Sequence, residues 1–415
     1  MGSISRMITE FSLDLYNKVN RRAEGCSNIV FSPVSISTSL GLILLGARNN
    51  TAAQIENVLH ISDAAGTTSL ESELEGVVPE NKSELSQERE SSPSVCNTDG
   101  NLYHEAFHTL LLQLQNLDKD YVISLANNLF LQQGFEPNQK YLMCSKELYR
   151  AALETMDFQR DLEASRLKIN DWVESETEGK IKELFARGVI NTDAILVLAN
   201  AIYFKASWEH KFEEKNTVQR DFKLHQNERK PVQMMYQKGT FKLGYIEELE
   251  TQVLELPYAQ KLLSMIILLP GDTEDGSTSG LEQIESTMTY ENLTVWLSSK
   301  HMFETIVEVY LPRFKLEGTF NLNEVLKEMG MTDIFTFKAD LSALSEKSLM
   351  LSNIVHKAYV EVNEEGTTAA AATGATIVRR SLPLTEVFMA DHPFLFFIRH
   401  NPTDTMLFLG KFCSP

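Results

Sequence analysis

Four cysteines in 415 residues are too few for a disulfide scaffold, and Cys26, Cys96, Cys144 and Cys413 share neither metal-binding nor redox spacing. Free thiols in a reducing compartment are the expectation. Basic residues are also scarce, 38 against 57 acidic, for a formal charge of −19. A chain with that balance is a poor holder of nucleic acid through a general basic face. No apolar run approaches the ~20 residues that a membrane helix needs. The longest burst, Ala194 to Phe204, is interrupted by Asn200. Neither a nucleic acid nor a membrane is expected as a partner. The start, Met1-Gly2-Ser3-Ile4-Ser5-Arg6, lacks the basic and apolar stretches of a cleaved secretion signal, and Arg6 stands where myristoylation needs Ser or Thr.

Signatures of catalysis are missing as well. No G-x-G-x-x-G or Walker loop occurs, and Gly276-Ser277-Thr278-Ser279-Gly280 has Thr where a G-x-S-x-G elbow carries its nucleophile. His104-Glu105-Ala106-Phe107-His108 fits the zinc-protease pattern H-E-x-x-H, but no Gly-x-x-His extension supplies a third ligand. With Leu110, Leu111, Leu112 and Leu114 following, it reads as a packed helix that carries two histidines. No metal and no cofactor are expected, and the chain does not read as an enzyme. Between Arg89 and Lys119 there is no Lys or Arg, so the His104 helix offers no ionic site for heparin or another sulfated polysaccharide.

What is present is ordinary globular composition, 43% hydrophobic and 23% charged. Helical periodicity runs from Ile8 to Ile61 and returns at Leu102 to Leu114 and Ala164 to Ile181. Strand-like runs occupy Tyr121 to Leu131, Val197 to Lys205, Gln252 to Leu256, Leu263 to Leu269, Thr305 to Leu311, Val355 to Val362, Phe394 to Ile398 and Met406 to Phe412. Helical patches at Leu281 to Met288 and Leu322 to Met329 separate some of them. Runs of helix followed by runs of strand predict an α+β fold. No repeat or linker divides the chain, so residues 1–415 read as one large domain. Residues 63–100, rich in Ser, Glu and Thr and without an aromatic, read as a mobile acidic surface loop inserted between helices.

The unusual segment follows the Val355 to Val362 strand. It runs Glu364-Glu365-Gly366-Thr367-Thr368-Ala369-Ala370-Ala371-Ala372-Thr373-Gly374-Ala375-Thr376-Ile377-Val378-Arg379-Arg380-Ser381-Leu382-Pro383. A flexible linker or a short Ala helix would have this composition. A third reading fits better: a tether of small side chains can enter between two strands of a sheet and gain ladder partners on both sides. Alternate residues Thr367, Ala369, Ala371 and Thr373 would then face the core, and all are small. The dibasic Arg379-Arg380-Ser381 suits a trypsin-like protease with an acidic specificity pocket.

That segment resembles the reactive-centre loop of a serpin, and the similarity spans nearly the whole chain. Asn28-Ile29-Val30-Phe31-Ser32-Pro33-Val34-Ser35-Ile36-Ser37 and Asn200-Ala201-Ile202-Tyr203-Phe204-Lys205-Ala206-Ser207-Trp208 resemble two family motifs. Leu311-Pro312-Arg313-Phe314, His356-Lys357-Ala358, Asn363 to Thr367, and Asp391-His392-Pro393-Phe394-Leu395-Phe396 complete the set. The acidic loop, the Cys413-Ser414-Pro415 ending and the missing signal resemble the ovalbumin-like, clade B, largely intracellular branch.

The resemblance implies the serpin fold: about nine helices, three β-sheets and an exposed reactive-centre loop over 364–383. It implies suicide inhibition of a trypsin-like serine protease by a monomeric inhibitor. Counting from the hinge Gly366 makes Arg380–Ser381 the reactive bond, flanked by Val378 and Arg379, with Glu364 to Ala372 as the hinge. Ser32, Ser35, Asn200 and His356 match the family's buried shutter, and Trp208, Arg313 and Glu364 its breach, where insertion begins. A non-inhibitory storage, chaperone or scaffold member, whose loop is only cut, is the alternative. Two departures stand out: Thr368 where inhibitory members usually carry Glu, and Ala206 where Gly commonly precedes the Trp, with strain expected in a turn. The expected location is cytoplasmic, with export without a cleaved signal left open. Sequons at Asn49, Asn81 and Asn292 matter only on the secretory route.

Overall fold

The computed structural model describes residues 3–61, 96, 102–115, 120–224, 228–271, 279–298, 300–365 and 385–415. The acidic 63–100 stretch, Cys96 apart, lies outside the described residues. So do Gly366, Thr367, Thr368, Ala369, Ala370, Ala371, Ala372, Val378, Arg379, Arg380 and Ser381.

Nine α-helices occur among the described residues: α1 (Ser3–Arg22), α2 (Pro33–Gly46), α3 (Asn49–Val58), α4 (Leu102–Gln115), α5 (Gln139–Tyr149), α6 (Leu162–Glu176), α7 (Ser279–Thr287), α8 (Tyr290–Trp296) and α9 (Asn323–Met329). The first strands are β1 (Ile29–Phe31), β2 (Tyr121–Gln132), β3 (Leu153–Met156), β4 (Leu196–Ala206), β5 (Val218–Lys223), β6 (Arg229–Ile246) and β7 (Thr251–Pro257). They are followed by β8 (Leu263–Pro270), β9 (Met302–Pro312), β10 (Phe314–Asn321), β11 (Leu351–Val362), β12 (Glu386–Met389), β13 (Phe394–His400) and β14 (Thr405–Phe412).

Hydrogen bonds join these strands into two networks. One is a five-stranded sheet in the order β10-β11-β4-β2-β3. The other holds nine strands and divides within β6. The start of β6 pairs β5, its middle pairs β9, and its end pairs β7. One long strand is thereby shared between a sheet reaching β12 through β9 and a sheet running through β7, β8, β13 and β14 to β1.

The five-stranded sheet explains why β4 reads as an unbroken apolar run. Its even-numbered residues Leu196, Leu198, Ile202 and Phe204 join the larger core, while Val197, Ala199, Ala201 and Tyr203 join a second core on the opposite face. A strand buried on both faces has no polar alternation. The second core is completed by Ile169 and Val173 of α6 and by Ile181, Phe185 and Ile190 of the segment leading into β4. Against the inner face lies α2, nearly every residue of which is buried. Its start is fixed locally: Ser32 is the N-cap and Pro33 the first helical residue, a position where the missing N–H goes unmissed.

Three expectations are overturned, the first being the unbroken helical reading of Ile8 to Ile61, which β1 interrupts because Ile29, Val30 and Phe31 pair with β14. The cysteines are paired, not free: Cys26 bonds Cys413, and Cys96 bonds Cys144. Sequence spacing is silent about this, because β1 pairs with β14 and so brings residues 387 apart together. Ala206 introduces no strained turn either. It ends β4 in register with Tyr121 and is absent from the residues with positive φ.

Joining the two ends of the chain removes far more denatured-state freedom than a short loop does. Cys26→Ser is therefore expected to lower the urea midpoint, by the equivalent of about 2–5 kcal/mol. Reductant should lower the wild-type midpoint and leave less to remove from the variant. Equal midpoints for Cys26→Ser and wild type would deny the staple.

Candidate functional site

The centre of the five-stranded sheet is a seam. There β11 and β4 are hydrogen-bonded to each other and run parallel, with His356 directly opposite Asn200. Next across the sheet, Asn200 is opposite Asn127 of β2. This row of polar side chains sits on the inner face above the start of α2.

The structure brings Ser32, Ser35, Asn200 and His356 into one closed ring. The Ser32 N–H donates to His356 Nε2 (3.1 Å), and His356 Nδ1 lies 2.5 Å from Asn200 Oδ1. Asn200 Nδ2 donates to Ser35 Oγ (2.8 Å), and the Ser35 N–H returns to Ser32 Oγ (3.2 Å). Ser32 Oγ also donates to Leu407 O of β14 at 2.6 Å, tying the ring to the second sheet. All four residues are buried.

Proton positions follow from the partners. His356 Nε2 accepts from a backbone N–H, so Nδ1 carries the proton and donates it to Asn200. A second proton on Nε2 would face the Ser32 N–H. Burial accordingly pulls the imidazole from 6.5 to about 3.

The second group of expected residues meets at the end of β11. Trp208 Nε1 donates to Asn363 O (2.9 Å), and its ring stacks on Tyr258 with centroids 4.4 Å apart. Glu364 is buried, with Arg313 Nη1 at 3.6 Å and Thr217 Oγ1 donating at 2.8 Å. The Trp208 and Phe212 N–H groups donate to the carbonyls of Glu365 and Glu364, and Lys211 Nζ is 3.1 Å from the Glu365 carboxylate. The turn 363–365 is therefore held on every side where it leaves the seam.

Phe212, Thr217 and Lys211 were not singled out in the sequence, and no local pattern marks them. Asn127 had a usable signal. It is the polar residue among inward-facing Leu125, Leu129 and Leu131, and Ser39 Oγ donates to its Oδ1 at 2.8 Å. The H-E-x-x-H histidines look elsewhere: His104 Nδ1 meets Tyr149 Oη at 2.5 Å and His108 Nδ1 meets Leu148 O at 3.3 Å.

A neutral His356 makes stability depend on pH in one direction. The unfolded chain takes the proton near 6.5 and the native ring only near 3. The contribution is complete above pH ~6.5 and is lost, at up to about 1.4 kcal/mol per pH unit, as the pH falls towards ~3. Burial pulls His104 and His400 to about 4 and acts in the same sense. The urea midpoint is expected to drop between pH 7.5 and 5.0, and His356→Gln should remove about one proton from that slope. An unaltered slope would mean that the native imidazole is already charged.

Comparison with known proteins agrees with this geometry. The family model described as "Serpin (serine protease inhibitor)" matches residues 6–415. The chain is 44% identical to human Serpin B12 over 417 residues and 42% identical to the leukocyte elastase inhibitor of Sus scrofa over 416, each alignment covering 100% of both proteins. Among solved structures it is similar to uncleaved ovalbumin, with 34% identity, a TM-score of 0.83 and 100% of both chains covered. It is also similar to a cleaved, loop-inserted ovalbumin mutant, with 36% identity, a TM-score of 0.81 and the same coverage. The chain belongs to the serpin family, in its ovalbumin-type branch.

Proposed function

We propose that the protein inhibits trypsin-like serine proteases by suicide trapping, with Arg380–Ser381 as the bait bond. The observation that carries the reading is the direct parallel pairing of β4 and β11, beside a turn that anchors the loop to the end of β11. An arm that folds back from that turn runs antiparallel to β11, and so antiparallel to β4 as well. One parallel ladder would be exchanged for two antiparallel ones, the better-aligned kind of pairing.

The chemistry would run as follows. The protease attacks the Arg380 carbonyl, the amide bond to Ser381 breaks, and Ser381 leaves as the new amine while the protease serine holds the acyl group. The freed arm, Thr367 to Val378, then enters the seam and carries the protease with it before water can attack the ester. About a dozen new ladder bonds at ~1 kcal/mol net each make that step one-way. Glu364 to Ala372 form the hinge, in which the small side chains from Thr367 onward suit the crowded sheet, and Thr368 would face solvent. Entry requires β4 and β11 to part, so the Ser32–His356–Asn200–Ser35 ring acts as the latch. Trp208, Arg313 and Glu364 mark where parting starts.

The inhibitor is proposed to act as a monomer, without a cofactor and without heparin on the His104 helix. It would be made in the cytoplasm and keep its two cystines only after export, since the cytosol holds thiols reduced.

Mixing with trypsin is expected to give an SDS-resistant covalent band, which Arg380→Ala abolishes. Loss of the band in Arg379→Ala alone would move the bait bond by one residue. The nicked protein should melt well above the intact one. Fragments without a band, with no gain in melting temperature, would instead identify a non-inhibitory member whose loop is only a substrate.

A further inference from the structure

Away from the seam, a cavity of about 480 Å³ opens between the end of α2 and the starts of α3 and α5. That is the size of a site for a small molecule. Its floor holds His104, which is only 4% exposed. Leu44, Leu45, Ala52 and Tyr141 give it apolar walls, and Arg48, Lys140 and Glu56 are its charged residues.

The floor has an unused donor. Tyr149 is fully buried, and burial holds its hydroxyl far above the ordinary phenol range, so it keeps its proton. Among the described residues its hydroxyl has one partner, His104 Nδ1, and its O–H is satisfied only if that nitrogen accepts. The imidazole proton must then sit on Nε2. No described residue bonds Nε2, and His104 lines the cavity whereas Tyr149, its Nδ1 partner, does not, which leaves the Nε2 edge as the one available to a ligand there.

The surroundings favour a negative acceptor for that proton. Both helices that begin at the cavity, α3 and α5, lack a side-chain N-cap bond, so their first N–H groups keep their positive ends. Lys140 makes no ion pair among the described residues, and Arg48 Nη1 covers the carbonyls of Ala47 and Leu45 at the end of α2. Arg48 and Lys140 line the cavity with one carboxylate, Glu56, whose pKa burial raises. The Asp340 carboxylate, held by Asn49 Nδ2 at the start of α3, also interacts with Arg48 and leaves Lys140 as the cation without an acidic partner among the described residues.

We propose that this cavity binds a small amphiphilic carboxylate, whose acid oxygen accepts the His104 Nε2–H while its apolar body lies along Leu44, Leu45 and Tyr141. None of the residues that hold the 363–365 turn lines the cavity.

Isothermal titration of the intact full chain with octanoate and with octanamide tests the assignment at neutral pH. Octanoate should bind one-to-one and at least tenfold tighter than the uncharged amide. Lys140→Glu, a surface change, should weaken octanoate at least tenfold and leave octanamide alone, and Lys140→Arg should restore it. His104→Phe, checked for folding by circular dichroism, should erase the preference for the acid. No saturable octanoate binding, equal affinity for acid and amide, or an unchanged affinity in Lys140→Glu would each overturn the proposal.

Discussion

The rest of the structure depends on one hydrogen bond across the middle of a sheet, between His356 of β11 and Asn200 of β4. It is an unusual thing to bury. Polar side chains in a core must find all their partners, and an incomplete network destabilises more than an apolar one. Here the ring of four is completed from α2, although Asn127 Nδ2 beside it has no partner among the described residues. Ser32 and Ser35 present backbone and hydroxyl groups at the helix start, where N–H groups are free to be used. The seam, the helix cap and a carbonyl of the second sheet are thereby closed in one network.

This arrangement ties the seam to the state of a single imidazole. The ring is consistent only when His356 is neutral, and burial enforces that. The same seam is crossed on its outer face. Tyr203 and Tyr359 stand opposite each other with Lys180 Nζ at 5.6 and 5.9 Å from the ring centroids, and Asn353 Nδ2 donates to Val189 O at 3.0 Å. Separating β4 from β11 must disturb both faces. The turn 363–365, by contrast, is gripped by groups from outside the sheet, chiefly Trp208, Phe212 and Thr217. The strand pair and its exit are thus held by different residues, and one can yield while the other keeps its place.

Much of this was legible in the chain. The apolar runs of β4, β8, β13 and β14 and the period of α4 fall where the pattern puts them, because burial writes itself into composition, while the period read from Ala164 to Ile181 overruns α6, which ends at Glu176. Less regular elements were not. β6 is the longest strand, yet it carries Lys, Gln, Gly and Pro and is exposed over much of its length, so it has little alternation to read. β1 has three residues and is defined by its partner β14 rather than by its own propensity. α5 was also unmarked, its buried residues being mixed with lysines and an exposed Met143.

By itself the sequence determined which side chains are apolar and that one segment combines small residues with a dibasic pair. Those are local properties, set by each residue's own chemistry and its near neighbours. Tertiary structure decided what meets what: Cys26 with Cys413, Glu364 with Thr217, and a histidine whose protonation is fixed by a serine 324 positions away. Such pairings depend on strand order and register, which bring distant residues within bonding distance and leave no trace in the spacing along the chain.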